Sequence, residues 1–281
     1  MLPPIVYVIS QGEKVLAGRY DSIHSRFPSV INFSAGEMVL SLCARSVCGG
    51  PRRVVIDLDD LSEVRSYTHG SCCEFLNDSV VLDSYEIIAD CHPRELSLPE
   101  HPSWQAWLDM LWAAFKLKSS PEGIFHLLSG KTPPNSFSDH LAKQLTHGLL
   151  LLEDGRLDEA AHAIKGRGAG FTPTGDDFLY GMLLGMAWLD RCGKKTLSKS
   201  MDAIYDASRS SNPLVNTFLH QARHLELNTD WVSLLNSSCH PATDPVNLLD
   251  AILAHGSTSG SDELFGFFTA CRLFGAWEPK G

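Results

Sequence analysis

The chain has 281 residues, of which 44% are hydrophobic and 20% are charged, a balance typical of a globular protein with a sizeable core. Its formal net charge of −10 argues against a nucleic-acid backbone or an anionic membrane as the main partner. No run reaches the ~18 apolar residues of a membrane span, and no basic segment precedes the short N-terminal apolar stretch. We therefore expect a cytoplasmic protein.

The eight cysteines are scattered and form no Cys-x-x-Cys pair, which favours reduced thiols over a disulfide framework. Cys-His-Pro occurs twice, at residues 91–93 and 239–241, but neither copy has a second spaced pair of ligand residues nearby. We interpret both copies as loop residues and expect no metal site there.

Short β-branched runs dominate the first 90 residues and predict a β-rich region. The predicted strands are 5–10, 30–33, 38–43, 53–58 and 80–89. Three prolines in residues 91–104 indicate a linker.

Helical periodicity begins after the linker, where apolar residues from Trp104 to Phe115 fall on one stripe. Its members are Trp104, Trp107, Leu108, Leu111 and Phe115, and we expect Trp112 in the core as well. Further helices are predicted near 137–153, 156–165, 175–191, 196–209, 213–225, 245–254 and 261–274. The fold class is therefore α+β, with a β-rich domain over residues 1–95 and a mainly helical domain over residues 96–281.

A ten-residue element occurs twice in the helical region. Residues 172–181, TPTGDDFLYG, match residues 257–266, STSGSDELFG, nearly position by position at an offset of 85 residues. Two hydroxyls, both glycines and one aspartate correspond between the copies, as in Gly175 with Gly260 and Asp177 with Asp262. The repeat predicts two similar loop-to-helix units, packed face to face.

The simplest interpretation of the repeat is helix capping. Thr174 to Asp177 and Ser259 to Asp262 both read Ser/Thr-x-x-Asp, a variant of the capping box. Capping leaves unexplained the glycines that follow each hydroxyl, because glycine costs up to ~1 kcal/mol against alanine inside a helix. It also leaves Gly166-Arg-Gly-Ala-Gly170 and the extra carboxylate of Asp176 unexplained.

A bound anion is the second interpretation, because free amides and a partial positive charge favour phosphate or carboxylate at a helix start. Lys165 and Arg167 would add positive charge, and hydroxyls in both copies would add hydrogen-bond donors. The carboxylates oppose an anion unless they cap, handle a proton or hold Mg²⁺, which is the third alternative. The glycine-rich stretch fits neither a Walker loop nor a Rossmann fingerprint. His255, beside the second copy, is a candidate general acid or base.

The two blocks GRGAGFTPTGDDFLYGMLLG and GSTSGSDELFGF resemble the signature blocks of a bacterial family, largely of unknown function, that includes the AllH-type subunit of oxamate carbamoyltransferase from allantoin breakdown. A looser likeness covers SVINFSAGEMVLSLC and GGPRRVVID in the N-terminal region. One position departs from the family pattern: where the family block has His before Thr-Ser-Gly, this chain has Ser257, with His255 two residues earlier.

The resemblance implies a subunit that takes part in carbamoyl transfer between oxamate and phosphate, with other subunits as partners and phosphate, carbamoyl phosphate or oxamate as ligand. The candidate catalytic residues are Asp176, Asp177, Asp262 and His255. The candidate anion-binding residues are Lys165, Arg167, Gly168, Gly170, Thr172, Thr174, Gly175, Ser257, Thr258, Ser259 and Gly260. No cofactor is expected apart from the Mg²⁺ alternative. The competing function is a non-catalytic assembly subunit or a small-molecule sensor.

Overall fold

A computed structural model describes residues 5–15, 18–20, 22–62, 73–75, 79–82, 85–89, 104–129, 136–193, 196–239 and 244–279. The chain divides into two compact units. Residues 1–95 with Leu227–Thr229 form the first unit, and residues 96–226 with 230–281 form the second. Within the described ranges, no helix is both long enough and apolar enough to cross a membrane.

In the part of the first unit that the structure describes, nine strands form one mixed sheet. They are β1 (Ile5–Gln11), β2 (Gly18–Tyr20), β3 (Ile23–Arg26), β4 (Val30–Ala35), β5 (Met38–Cys43), β6 (Arg53–Ile56), β7 (Cys73–Phe75), β8 (Ser79–Leu82) and β9 (Tyr85–Ala89). Their order across the sheet is β2-β7-β8-β9-β1-β6-β5-β4-β3. The β1–β9 and β5–β6 pairs are parallel and the other pairs are antiparallel.

Alternation along the strands builds the core of this unit. Ile31 and Phe33 of β4 join the buried apolar cluster, whereas Asn32 between them points to the opposite face, as successive strand residues must. Asn32 donates to Ser25 at 2.9 Å and accepts from Ser41 at 2.6 Å. The buried amide is therefore paired with hydroxyls from the two neighbouring strands.

The second unit is helical. Its helices are α1 (Trp104–Lys118), α2 (Ile124–Leu128), α3 (Ser136–Glu153), α4 (Leu157–Ile164), α5 (Thr174–Arg191), α6 (Ser198–Ser208), α7 (Pro213–His224), α8 (Thr229–Ser237), α9 (Pro245–Leu253) and α10 (Ser259–Gly275). Helix α5 is the most buried, since every residue from Thr174 to Leu189 is buried. A helix that is covered on all sides lies at the centre of its unit.

The predicted α+β class and helix order are confirmed, and so is the buried stripe from Trp104 to Phe115. The run predicted as one strand over 80–89 is wrong, because it forms two antiparallel strands, β8 and β9. Strands β2, β3 and β7 and helix α2 were not predicted, because each is too short to show a clear period. Helix α8 was not predicted either, although it is as long as α9. The predicted linker lies outside the described residues except for Trp104, which begins α1, and the first Cys-His-Pro and the His and Pro of the second copy lie outside them as well.

Candidate functional site

The two repeated elements meet in the structure at the starts of α5 and α10. Partner positions advance together along the two helices, from Gly181 beside Glu263, through Gly185 beside Ala270, to Leu189 beside Gly275. The helices are therefore parallel, and their N-terminal ends lie side by side. This confirms that the two similar units are packed against each other.

Glycine makes this close packing possible, because a glycine of each helix lies against the backbone of the other helix. A Cβ at Gly181 would lie 1.7 Å from the carbonyl oxygen of Glu263, and one at Gly266 would lie 2.0 Å from that of Phe178. These two contacts are equivalent under the 85-residue offset of the repeat. The duplicated elements are thus related by an approximate twofold axis that runs along the helix pair.

The glycine after each hydroxyl has a structural cause. A Cβ at Gly175 would lie 2.0 Å from the carbonyl oxygen of Ile164 at the end of α4, and one at Gly260 would lie 1.9 Å from that of Ile252 in α9. The close neighbour that excludes a side chain is therefore the preceding helix. These two glycines give no evidence for a ligand.

The glycine-rich loop closes over the start of α5. The Gly175 amide donates to the Arg167 carbonyl at 2.7 Å, and the Gly166 amide donates to Asp176 Oδ1 at 2.8 Å. Gly168 has φ +111°, and a Cβ there would lie 2.8 Å from the Thr174 amide nitrogen. In the second copy the Gly260 amide donates to the His255 carbonyl at 3.0 Å. Several first-turn amides are therefore already paired within the chain.

The capping-box interpretation is wrong. Helix α5 already includes Thr174 and α10 already includes Ser259, and the cap residues Pro173 and Thr258 make no side-chain cap bond. Each hydroxyl instead faces the aspartate of the other copy: Ser259 faces Asp177, and Thr174 faces Asp262. Each carboxyl therefore has one hydroxyl partner from the other copy, and it has a second from its own copy, Thr172 for Asp177 and Thr258 for Asp262.

Burial makes the carboxyls of Asp177 and Asp262 weaker acids than an ordinary aspartate. It raises the pKa of Asp177 to about 8, with a further rise from the charge of Glu263, while the hydroxyls of Ser259 and Thr172 oppose the change. It raises the pKa of Asp262 to about 7, against the Ile124 amide and the Thr258 and Thr174 hydroxyls. Near neutral pH each of these carboxyls is therefore protonated in a large fraction of the molecules, whereas an ordinary aspartate is almost fully ionised.

The two carboxyls nevertheless differ in their partners. Asp262 Oδ1 accepts the Ile124 amide of α2 at 2.8 Å, whereas its buried Oδ2 accepts no hydrogen bond of good geometry. Asp177 faces the hydroxyls of Ser259 and Thr172, whose Oγ1 is 3.5 Å from Asp177 Oδ2, and the negative charge of Glu263 also acts on it. Asp262 therefore fixes α2 through a backbone amide, whereas the hydrogen-bond partners of Asp177 are side-chain hydroxyls.

An ionic network borders the second helix start. The ring nitrogens of His255 lie 3.4 Å from Glu263 Oε2 and 3.1 Å from Asp230 Oδ2. Trp231 Nε1 also donates to Glu263 Oε2, at 2.9 Å. Sequence reasoning identified His255 but missed the other three residues. Glu263 falls opposite Phe178 in the repeat, and that mismatch was the available signal.

The remaining predicted residues lie around this centre. Lys165 Nζ donates to the carbonyls of Ala207 and Arg209, at 2.7 and 3.2 Å, and Arg167 Nε donates to the Ala163 carbonyl at 3.0 Å. Gly170 has φ +100° in the exposed part of the loop, and Ser257 is exposed. Burial raises the pKa of Asp176, although the Gly166 amide opposes the rise. The Mg²⁺ alternative stays a prediction.

The fold and site define an α+β protein whose helical unit carries an internally duplicated helix-loop-helix centre. Residues 164–271 match the family model described as oxamate carbamoyltransferase subunit AllH. The matched region contains both loops, so the resemblance seen there is confirmed. The looser N-terminal likeness lies outside it. Comparisons with curated proteins and with solved structures gave no significant match.

Proposed function

We propose that this chain is a subunit of an oxamate carbamoyltransferase-type enzyme and that its paired loops bind a small anionic substrate. The observation that carries the proposal is the family match, because it spans both loops and the structure brings those loops to one place. Carbamoyl phosphate and oxamate are the ligands that the family implies.

The donors for such an anion differ from those first expected. Because the amides of Gly175 and Gly260 are occupied, the hydroxyls of Thr172, Thr174 and Ser259 are better candidates. A protonated Asp177 would donate a hydrogen bond as well, and it would not repel an anion as a carboxylate does. The two parallel helix starts add roughly half a positive charge each. Preorganised donors of this kind would stabilise the charge of a transition state.

The test is calorimetry of the full chain with carbamoyl phosphate and, separately, oxamate. Thr174→Ala combined with Ser259→Ala should weaken binding by about tenfold, on the order of 1.4 kcal/mol, with little change in melting temperature. Thr146→Ala is the matched control, since that hydroxyl is exposed on α3 and donates only to its own helix. A lower melting temperature with unchanged binding would mean that the crossed hydroxyls are structural.

A second arm adds the other subunits of the complex. If the chain alone binds neither ligand but is required for carbamoyl transfer by the assembled enzyme, it is an assembly subunit that completes a partner's site. If the assembled enzyme works equally well without this chain, the subunit proposal is wrong.

A further inference from the structure

His255 occupies a position that suits a positioning residue better than an exchangeable acid or base. Both of its ring nitrogens face carboxylate oxygens, Glu263 Oε2 on α10 and Asp230 Oδ2 on α8. A neutral imidazole has one N–H and one bare nitrogen, so it can donate to only one of them. Only the imidazolium form donates to both.

The backbone of His255 also holds the second loop. Its amide donates to the Ile252 carbonyl at 2.9 Å, and its carbonyl accepts the Gly260 amide at 3.0 Å. The residue thus links the end of α9 to the start of α10, while its side chain spans from α10 to α8. Movement of this ring would move the segment that carries Thr258 and Ser259.

Glu263, one of the two carboxylates beside His255, also acts on the buried carboxyls of Asp177 and Asp262. The side chain of Glu263 is only 14% exposed, and its charge raises the pKa of Asp177 and of Asp262. A positive His255 next to Glu263 offsets part of that charge. The charge state of His255 is therefore coupled to the proton on Asp177 through Glu263.

We propose that His255 is an imidazolium held between Asp230 and Glu263, and that this ion triad positions the second loop and offsets the negative charge facing Asp177. The inference deepens the proposed function, on which its relevance to substrate rests, but the charge state of the triad does not depend on that function. Asp230 faces the ring from α8 and Glu263 faces it from α10, and Asp177 and Asp262 lie beyond Glu263.

The first experiment reads the charge of His255 directly, by NMR of the full chain labelled with ¹⁵N-histidine, at pH 7.5. His255→Gln identifies the resonances, and His162→Gln, an exposed histidine on α4, is the matched control. Both ring nitrogens should be protonated. In Glu263→Gln, which keeps an acceptor for Trp231 but removes the charge, the ring should shift toward a neutral tautomer. A neutral ring in the wild-type chain, or no change in Glu263→Gln, overturns the proposal.

The second experiment follows the Asp177 carboxyl by ¹³C NMR as a function of pH. Without the positive ring, the carboxylate of Glu263 acts on Asp177 uncompensated, so His255→Gln should move the Asp177 midpoint to higher pH. Should His255→Gln fail to fold, Asp230→Asn gives a second reading, since it should favour a neutral ring and raise the same midpoint. An unchanged midpoint in a folded variant rejects the coupling. Neither readout uses a substrate, so failure of carbamoyl phosphate to bind would count against the proposed function alone.

Discussion

Asp177 and Asp262 are the residues whose chemistry departs furthest from what the sequence suggests. In a capping box each would be an ionised carboxylate on its own helix turn. In the structure each is buried against the opposite helix, and burial favours the neutral acid. The negative charge that seemed to oppose an anion site is thus reduced near neutral pH. This crossing depends on the packing of two distant segments, so local sequence could not reveal it.

The raised pKa of Asp177 predicts that stability falls as the pH rises. The carboxyl titrates near 3.8 in the unfolded chain and at about 8 in the folded one, so the folded state binds the proton more tightly. That stabilisation is fully present below the unfolded value and is lost as the pH rises through the folded value. Asp177→Asn, which is neutral at every pH, should flatten the dependence and be more stable than wild type at pH 9 by about 2 kcal/mol.

Urea denaturation followed by tryptophan fluorescence reports the unfolding of the helical unit, because all six tryptophans lie between Trp104 and Trp277. Asp158→Asn, at an exposed position on α4, is the control and should follow the wild-type curve. A steep pH dependence that persists in Asp177→Asn would show that another group is responsible.

At the scale of elements, the parallel pair α5 and α10 organises the helical unit. Its close approach depends on glycines that face backbone carbonyls of the partner helix, where no side chain can move aside. Parallel alignment also brings two positive helix ends together, and the carboxylate of Glu263 near the start of α10 offsets part of that cost. The glycines and acids of the repeat are therefore needed for packing, whether or not a ligand binds.

Gly266→Ala tests this packing. The new methyl would lie 2.0 Å from the Phe178 carbonyl oxygen, so the helices must separate, and we expect a loss of about 1–3 kcal/mol of unfolding free energy. Gly275→Ala in the same helix is the control, because its nearest neighbours are the side chains of Leu189 and Trp104 at 3.0 to 3.3 Å. Equal melting temperatures for the two variants would contradict the glycine contact.

At the scale of the whole molecule, periodicity was sufficient for the fold class and for most helices, and self-comparison found both loops. His255 was predicted and the mismatch of Glu263 with Phe178 was visible in the repeat, but their contact with Asp230 could not be predicted, since Asp230 comes from a separate element and shares no motif with them. The need for glycine at 175 and 260 could not be predicted either, because it arises from the close tertiary packing of α4 and α9 against these positions. Sequence therefore located the centre of the site but not the contacts within it.

The net charge of −10 bears on how an anion would reach that centre. The field of an acidic protein repels a dianion at long range and is screened by salt, whereas donors in contact with the ligand act at short range. For carbamoyl phosphate we therefore expect an association rate that rises roughly twofold between low and physiological ionic strength. Stopped-flow measurements should use a salt whose anion does not compete for the site. Replacing the exposed Asp154, Asp158 and Asp206 by Asn should raise the rate at low salt and reduce its salt dependence. An association rate that instead falls with added salt would mean that local positive charge, from Lys165, Arg167 and the two helix starts, dominates the approach.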